Sequence, residues 1–503
     1  MSHLEALLVA RCHRVGRGHR TAIFRHRRLL DHPIALALYQ LGAEPFSAAA
    51  AVVGTSPDDA LHLVAGEPRN RDLAFAMLLD LARWFNPRFE QPGAIRGEDG
   101  RAVATPQVIV PNKATIDMIG RLGRRLAYLP IDGPNPADLE LVRLGQHFLF
   151  LARHASLPGQ QVMIAVADLV AMHWATEQSE FERASLTALD AYVDPVHSPA
   201  WEWERRRRTA DAAWEWEAAR RGAHGFDAAA LAERFAIGPL PDGEDDRRLA
   251  PLVDEFNVRR DGCQELAVVG PLLGPIHAHY RPLLDRAWEL LWHALARERA
   301  YPEASSVGGR WHADVDAYSW YLDWLATDKR PRTRQTPKQA AMTMRRLEAA
   351  KARLLAQEAC DDPLRMIPYT LINKAVEGEV VALDPNNREV ANVNRVRRPL
   401  VTLLTEEPCP IPQGRELWWA GHTRGAAWEV RRIVGQNNGG ALVTLRLTTS
   451  STRMPMPTIG DRTFFSVHHT DGDWMPNLPP MAPWSHRPRE PHSPFASIEE
   501  DAS

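Results

Sequence analysis

The pattern of hydrophobic and polar positions changes character near Pro363. Before it, apolar residues recur at three- and four-residue intervals, the period of a helix with one buried face. Leu73, Met77, Leu81 and Trp84 predict a helix over 72–85 with Pro87 just beyond its end. Leu141, Leu144, Phe148 and Leu151 predict another over 137–155. Pro158 and Gly159 interrupt the pattern, and a further helix is expected over 160–175. Ser179 and Glu182 have the spacing of a capping box for a third helix ending near Tyr192. Residues 33–90 read mostly as helix, and the Pro- and Gly-rich stretch 91–112 as a loop or short hairpin. Residues 195–250 are less regular, and the PDGEDD run at 241–246 reads as an exposed loop. Two more helices carry Leu284, Trp288, Leu291 and Leu295, then Tyr318, Tyr321, Leu322 and Leu325.

The clearest single element lies within 329–359. Thr336 suits an N-cap, Pro337 the first helical position, and Gln339 completes a capping box. Ala340, Met344, Leu347, Leu354 and Leu355 gather on one side of a helical wheel, with Lys338, Arg345, Arg346 and Arg353 opposite.

After Pro363 the runs become short and β-like, at 379–383, 390–393, 400–405, 416–419, 428–434, 442–447 and 464–467. Val443, Leu445 and Leu447 alternate with Thr444 and Arg446, the period of a half-buried strand. Turn signals at Asp384-Pro385 and Gln436-Asn437 separate the runs. The predicted architecture is α+β. An Arg-rich segment (1–32) precedes a large, mostly helical region (33–328), with a candidate subdomain break near 195–250. A basic amphipathic connecting helix (329–362) leads to a small antiparallel β-barrel, SH3-like or OB-like (363–470). The stretch 471–503, rich in Pro, Ser and acid, reads as a disordered tail.

Composition removes several function classes. The chain has 503 residues, 45% hydrophobic and 24% charged, an ordinary globular balance. Its four cysteines, Cys12, Cys263, Cys360 and Cys409, are widely spaced, so a disulfide framework, a zinc ribbon and a CxxC redox site are not expected. No signal-peptide pattern and no membrane-length apolar run is present, which points to a cytoplasmic protein without a membrane partner. Only five of the 60 basic residues are lysine, so lysine motifs can be tested one by one. None of the five follows a Gly, as a P-loop requires, none has an acid two positions earlier, and none has a Ser three positions earlier. G-x-S-x-G and H-E-x-x-H are also absent. No catalytic residue, cofactor or metal site is assigned on this basis.

The net charge of −3 hides a strongly uneven distribution. Residues 1–32 carry seven basic against two acidic side chains, and 33–328 carry 29 against 42. Residues 329–353 carry nine basic against one acidic. Arginine forks grip phosphate oxygens in pairs, so a basic helix beside a small barrel is a candidate nucleic-acid platform. Its candidate residues are Arg330, Arg332, Arg334, Lys338, Arg345, Arg346 and Arg353. Trp418 and Trp419, with Trp428, could stack on bases if exposed. The competing reading docks this basic face onto the acidic helical body. The N-terminal arginines are open between a binding arm and a packed segment.

Other clusters read as structural first. His312, Asp314 and Asp316 would converge only on a strand, and their context is a helix start. His277 and His279 supply at most half of a metal site. His173 and Glu177 have i, i+4 spacing, suited to an ion pair. Trp288–Trp292 and Trp320–Trp324 build a core or an aromatic interface, and the two WEWE repeats at 201–204 and 214–217 suggest a partner surface. The function expected is a non-catalytic, nucleic-acid-associated subunit of a larger bacterial complex. Its partners would be DNA or RNA and a protein supplying any catalysis. A protein-interaction scaffold, and an enzyme with a site assembled from scattered His, Asp and Glu, are the alternatives.

Overall fold

A computed structural model describes residues 3–42, 48–130, 136–207, 219–235, 237–239, 243–261, 269–327, 329–332, 334–391, 394–422, 426–437, 439–449 and 454–469. The predicted tail over 471–503 and the second WEWE repeat lie outside these residues.

The fold is α+β, with helices dominating the N-terminal part and a closed antiparallel barrel in the C-terminal part. One expectation fails early. The stretch expected as helix over 33–90 begins instead with strands: β1 (Ile34–Gln40), β2 (Ala48–Gly54) and β3 (Leu61–Val64). With β4 (Val108–Val110) and β5 (Met163–Ala165) they form a five-stranded mixed sheet in the order β3-β2-β1-β4-β5. β1 to β3 pair antiparallel, while β1–β4 and β4–β5 pair parallel. The reason is burial on both faces. Ile34, Leu36 and Leu38 point into one apolar core, Ala35, Ala37 and Tyr39 into another, so no polar alternation marks the strand.

Helices cover both faces. The Ile34 side packs against α1 (Arg71–Glu90), α2 (Lys113–Ala127) and α3 (Pro136–Ala155). The Ala35 side packs against α4 (Val166–His173), α5 (Leu186–Val193) and α6 (Gly274–Arg299). α2 and α3 approach closely through glycine: a Cβ on Gly145 would stand 2.3 Å from the Ala127 backbone nitrogen. α7 (Val307–Leu325) adds Tyr318 and Tyr321 to the first core.

Several local expectations shift. Pro87 lies inside α1 rather than beyond it. The stretch expected as helix over 160–175 divides into β5 and α4. Ser179 and Glu182 form their capping box, but on a single turn, and Ser185 caps α5 separately. The acidic run at 241–246 enters a helix, Gly243–Asp261, with Glu244, Asp245 and Asp246 in its first turn, where the helix dipole favours acids. Trp201 and Trp203 of the first WEWE repeat are buried in the core rather than offered to a partner.

The N-terminal arginine segment is packed after its first helix (His3–Val15). Ala22, His26 and Leu29 are buried, Arg25 pairs with Glu303 at 3.1 Å, and Arg27 lies 3.6 Å from Glu358. This favours the packed segment over the binding arm.

The connecting helix is α8 (Pro337–Asp361), followed by α9 (Pro363–Leu371). Thr336 caps α8 through the expected capping box with Gln339. The barrel comprises β6 (Ala375–Asp384), β9 (Leu400–Thr405), β10 (Glu416–Trp419), β11 (Trp428–Gly435), β12 (Ala441–Leu447) and β13 (Arg462–Ser466), closed in the order β9-β12-β11-β10-β13-β6. A hairpin of β7 (Arg388–Ala391) and β8 (Asn394–Arg397) stands apart from the barrel and is tied to it by the Arg446–Glu389 ion pair. Val443, Leu445 and Leu447 point inward, as their alternation predicts, to meet Val401, Leu403 and Trp428. Among the described residues no helix is long and apolar enough to cross a membrane.

Candidate nucleic-acid interface

Among the described residues the side-chain bonds that hold α8 itself to the body gather near its C-terminal end. Near its C-terminus Asp361 accepts hydrogen bonds from Ser305 Oγ (2.6 Å) and the Ser306 backbone N–H (3.0 Å). Asp362, fully buried, accepts from the backbone N–H groups of Ile23 (2.6 Å), Phe24 (3.1 Å) and Leu364 (2.9 Å), and lies 3.4 Å from His26 Nε2. Burial pushes its acidity down, but the hydrogen bonds from His26, Phe24, Ile23 and Leu364 outweigh burial and hold its pKa below the usual value. Arg310 completes the anchor by donating to Gln357 Oε1 (3.0 Å), Ser306 Oγ (2.6 Å) and the His26 carbonyl (2.8 Å).

Toward its N-terminus the helix is exposed nearly all round. Met344, expected in the apolar stripe, is 64% exposed. Between α8 and the body lies a cleft of about 1110 Å³. Arg346 and Arg353 line it from α8, and Arg332 and Arg334 from the extended segment before the helix. Arg153 at the end of α3 and Arg310 on α7 line the opposite side. The extended segment is fixed by Tyr128 Oη donating to the Pro331 carbonyl (3.0 Å) and by Arg153 donating to that of Arg332 (3.3 Å).

Among the described residues one carboxylate lines this cleft, and it is already engaged. Asp314 holds His154 Nε2 at 2.7 Å and the Gln161 backbone N–H at 2.9 Å. Among the described residues none of Arg330, Arg332, Arg334, Lys338, Arg346 and Arg353 is ion-paired with a carboxylate. Arg345 meets Glu348 at 3.8 Å on its own helix. The basic helix is therefore not docked on acidic side chains of the body. Burial lowers the Arg310 pKa to about 10, helped by Arg27 and opposed by Glu358, Asp361 and Asp314, so the group remains a cation at neutral pH.

A second cleft of about 720 Å³ adjoins the first and shares Arg153, Arg332 and Arg346 with it. Lys329 and Arg330 add two more cations there. Its other wall is aromatic, with Phe150, Tyr321 and Trp324. Tyr321 is fixed from behind: its hydroxyl donates to His147 Nδ1 (2.7 Å), and His147 Nε2 donates to Glu90 (2.9 Å). Glu90 accepts only, so the neutral imidazole carries its proton on Nε2. Arg143 grips both Glu90 oxygens (2.7 and 3.1 Å).

The predicted site residues thus separate. Arg332, Arg334, Arg346 and Arg353 meet in the first cleft, and Arg330 enters the second. Lys338 and Arg345 line neither. Trp418 and Trp419 belong to the barrel, away from both clefts. Trp418 packs against His469, and Trp419 donates to Thr463 Oγ1 at 2.9 Å. Trp428 is buried in the barrel core and unavailable to a base. Arg153 and Arg310 escaped sequence reasoning, because nothing in their local pattern marks them off from ordinary surface arginines. The aromatic wall was half visible, in the helical spacing that placed Trp324 on a common face with Trp320.

The other clusters are structural. His173 bonds Glu298 at 2.8 Å rather than Glu177, which instead pairs with His13, because α4 ends at His173. His312 bonds the Gly308 carbonyl of its own helix and Asp316 pairs with Arg101, so the His312-Asp314-Asp316 set diverges. His277 lies against His62. Among the described residues no group of three or more His, Cys, Asp or Glu is placed to hold a metal ion. Comparison with protein-family models, with curated proteins and with solved structures finds no match.

Proposed function

We propose that the protein is a non-catalytic, nucleic-acid-associated subunit that holds a phosphate backbone in the basic cleft beneath α8. One observation carries this reading. Six arginines line a single cleft in which Asp314, the one carboxylate among the described lining residues, is already bound by His154 and Gln161. A concentration of cations that outnumbers its nearby carboxylates is costly to hold together unless a polyanion completes it. Arginine supplies paired donors of the right geometry for phosphate oxygens. Arg153 and Arg310 are positioned by backbone and side-chain bonds, so part of the ordering cost of binding is met beforehand. Any catalysis then belongs to a protein partner, in line with the missing nucleotide-binding and nucleophile motifs.

The test is a fluorescence-anisotropy titration of labelled 20-mer oligonucleotides at 50 mM salt. Arg346→Glu with Arg353→Glu should weaken binding at least 10-fold. Lys338→Glu with Arg345→Glu, the same charge change at α8 residues that line neither cleft, should weaken it far less. Equal losses from the two pairs, or no binding by the unaltered protein, would overturn the proposal.

A further inference from the structure

The second cleft contains a stack of four aromatic rings. His154, Phe150, Tyr321 and Trp324 follow one another with centroids 5.4, 4.2 and 6.0 Å apart. Their planes are inclined by only 17°, 20° and 27°. Aromatic pairs in protein cores adopt edge-to-face as readily as offset-stacked arrangements, and the neighbouring core of this chain uses both: Phe85–Phe89 lies at 16°, while Phe85–Phe148 and Phe89–Tyr318 stand at 82° and 85°. The run of four near-parallel rings lies along the wall of the cleft. Its inner members are fixed. Tyr321 is held by His147, and His154 by Asp314. Phe150 and Trp324 are only half-buried and line the open space. Opposite them stand Lys329, Arg330, Arg332 and Arg346.

From this we infer that the second cleft binds single-stranded nucleic acid, with an unpaired base stacked on Trp324, the end ring of the column, and its phosphates on the facing cations. This rests on the phosphate-binding reading of the first cleft and narrows it. A duplex keeps its bases paired and stacked on one another, so only a single strand can offer a free base to the column. Every base has a π-face, so such a site tolerates any sequence. Sharing of Arg153, Arg332 and Arg346 makes the two clefts one continuous track, along which phosphates can run from the aromatic wall into the arginine cluster.

The first test needs no variant. Binding of labelled dT20 is compared with that of a 20-unit abasic oligodeoxynucleotide, which has the same phosphates and no bases, and with a 20-base-pair duplex. The abasic strand should bind about 10-fold more weakly than dT20, within the range that stacking of one base supplies, and the duplex should bind more weakly as well. Trp324→Leu should reduce dT20 affinity about 10-fold without changing its salt dependence, and Trp324→Phe should recover most of that loss. Equal affinity for dT20 and the abasic strand would overturn the inference while leaving the phosphate reading intact. Loss of both ligands on charge reversal at Arg346 and Arg353, with no base dependence, is that outcome in its clearest form. No binding of any of the three ligands would overturn both.

Discussion

Arg310 donates a hydrogen bond to Gln357 Oε1 at 3.0 Å, and through it the floor of the basic cleft holds the α8 wall. The same guanidinium reaches Ser306 on its own helix and the His26 carbonyl in the N-terminal segment. One side chain therefore joins three parts of the chain that are distant in sequence. Arg310→Met keeps much of the volume and removes all three bonds. It should lower unfolding stability by about 2 kcal/mol, since partners are left unsatisfied. Urea unfolding measures this, and a loss below about 0.5 kcal/mol would show that the anchor lies elsewhere.

Asp362 is the second anchor. Its carboxylate is the acceptor for three backbone N–H groups and neighbours His26 in a site closed to water. Asp362→Ala leaves these donors buried without an acceptor and should cost about 3 kcal/mol. Because the folded-state pKa is held below the usual value, the stabilisation is present above about pH 4, where the unfolded chain is ionised. It is lost as pH falls through the folded-state value. The acid limb of a stability–pH curve should therefore flatten in the Asp362→Ala protein.

Acid should also act at milder pH through His147. Its imidazole is fully buried, and burial lowers its pKa despite Glu90, so the folded protein resists taking up the proton that the unfolded chain accepts near pH 6.5. Stability should then decline as pH falls below about 6.5. Thermal melts at pH 8 and pH 5.5 should differ less in His147→Gln than in the unaltered protein, after allowance for the lower starting stability of the variant.

Gly145 permits the α2–α3 approach that carries Phe150, Arg153 and His154 to the clefts. Its missing Cβ would lie 2.3 Å from Ala127 N and 2.7 Å from Leu126 C, both backbone atoms that cannot swing away. Gly145→Val should destabilise the fold by at least ~2 kcal/mol through overpacking. Gly308→Ala on α7, where a Cβ meets nothing within 4 Å, is the matched control and should be tolerated.

How much of this was legible in the sequence depended on what each element faces. The barrel was readable because each strand has one dry and one wet side, so Val443, Leu445 and Leu447 alternate with Thr444 and Arg446. The start of α8 was readable because Thr336, Pro337 and Gln339 do local chemistry within one turn. The mixed sheet was not, since both its faces are buried and its Ala-rich strands carry neither a period of two nor β-branched enrichment until Val52 and Val53. The six arginines of residues 329–353 were identified as a basic feature, but which of them converge depends on the rotation of α8 against the body. Arg346 and Arg345 are neighbours in sequence, and one lines both clefts while the other lines neither. The aromatic column could not be read at all as a unit, because Phe150 and Tyr321 come from helices joined only in the folded core.

Whether α8 and the body together grip phosphates is read from the salt dependence of dT20 binding between 50 and 200 mM. If about four arginines neutralise phosphates, the log–log slope is roughly −3, and affinity falls about 50-fold over that range. Arg346→Glu with Arg353→Glu should make the slope shallower by at least one unit. An affinity that does not change with salt, or a slope that the double variant leaves as it was, would mean that α8 and the body do not hold phosphates.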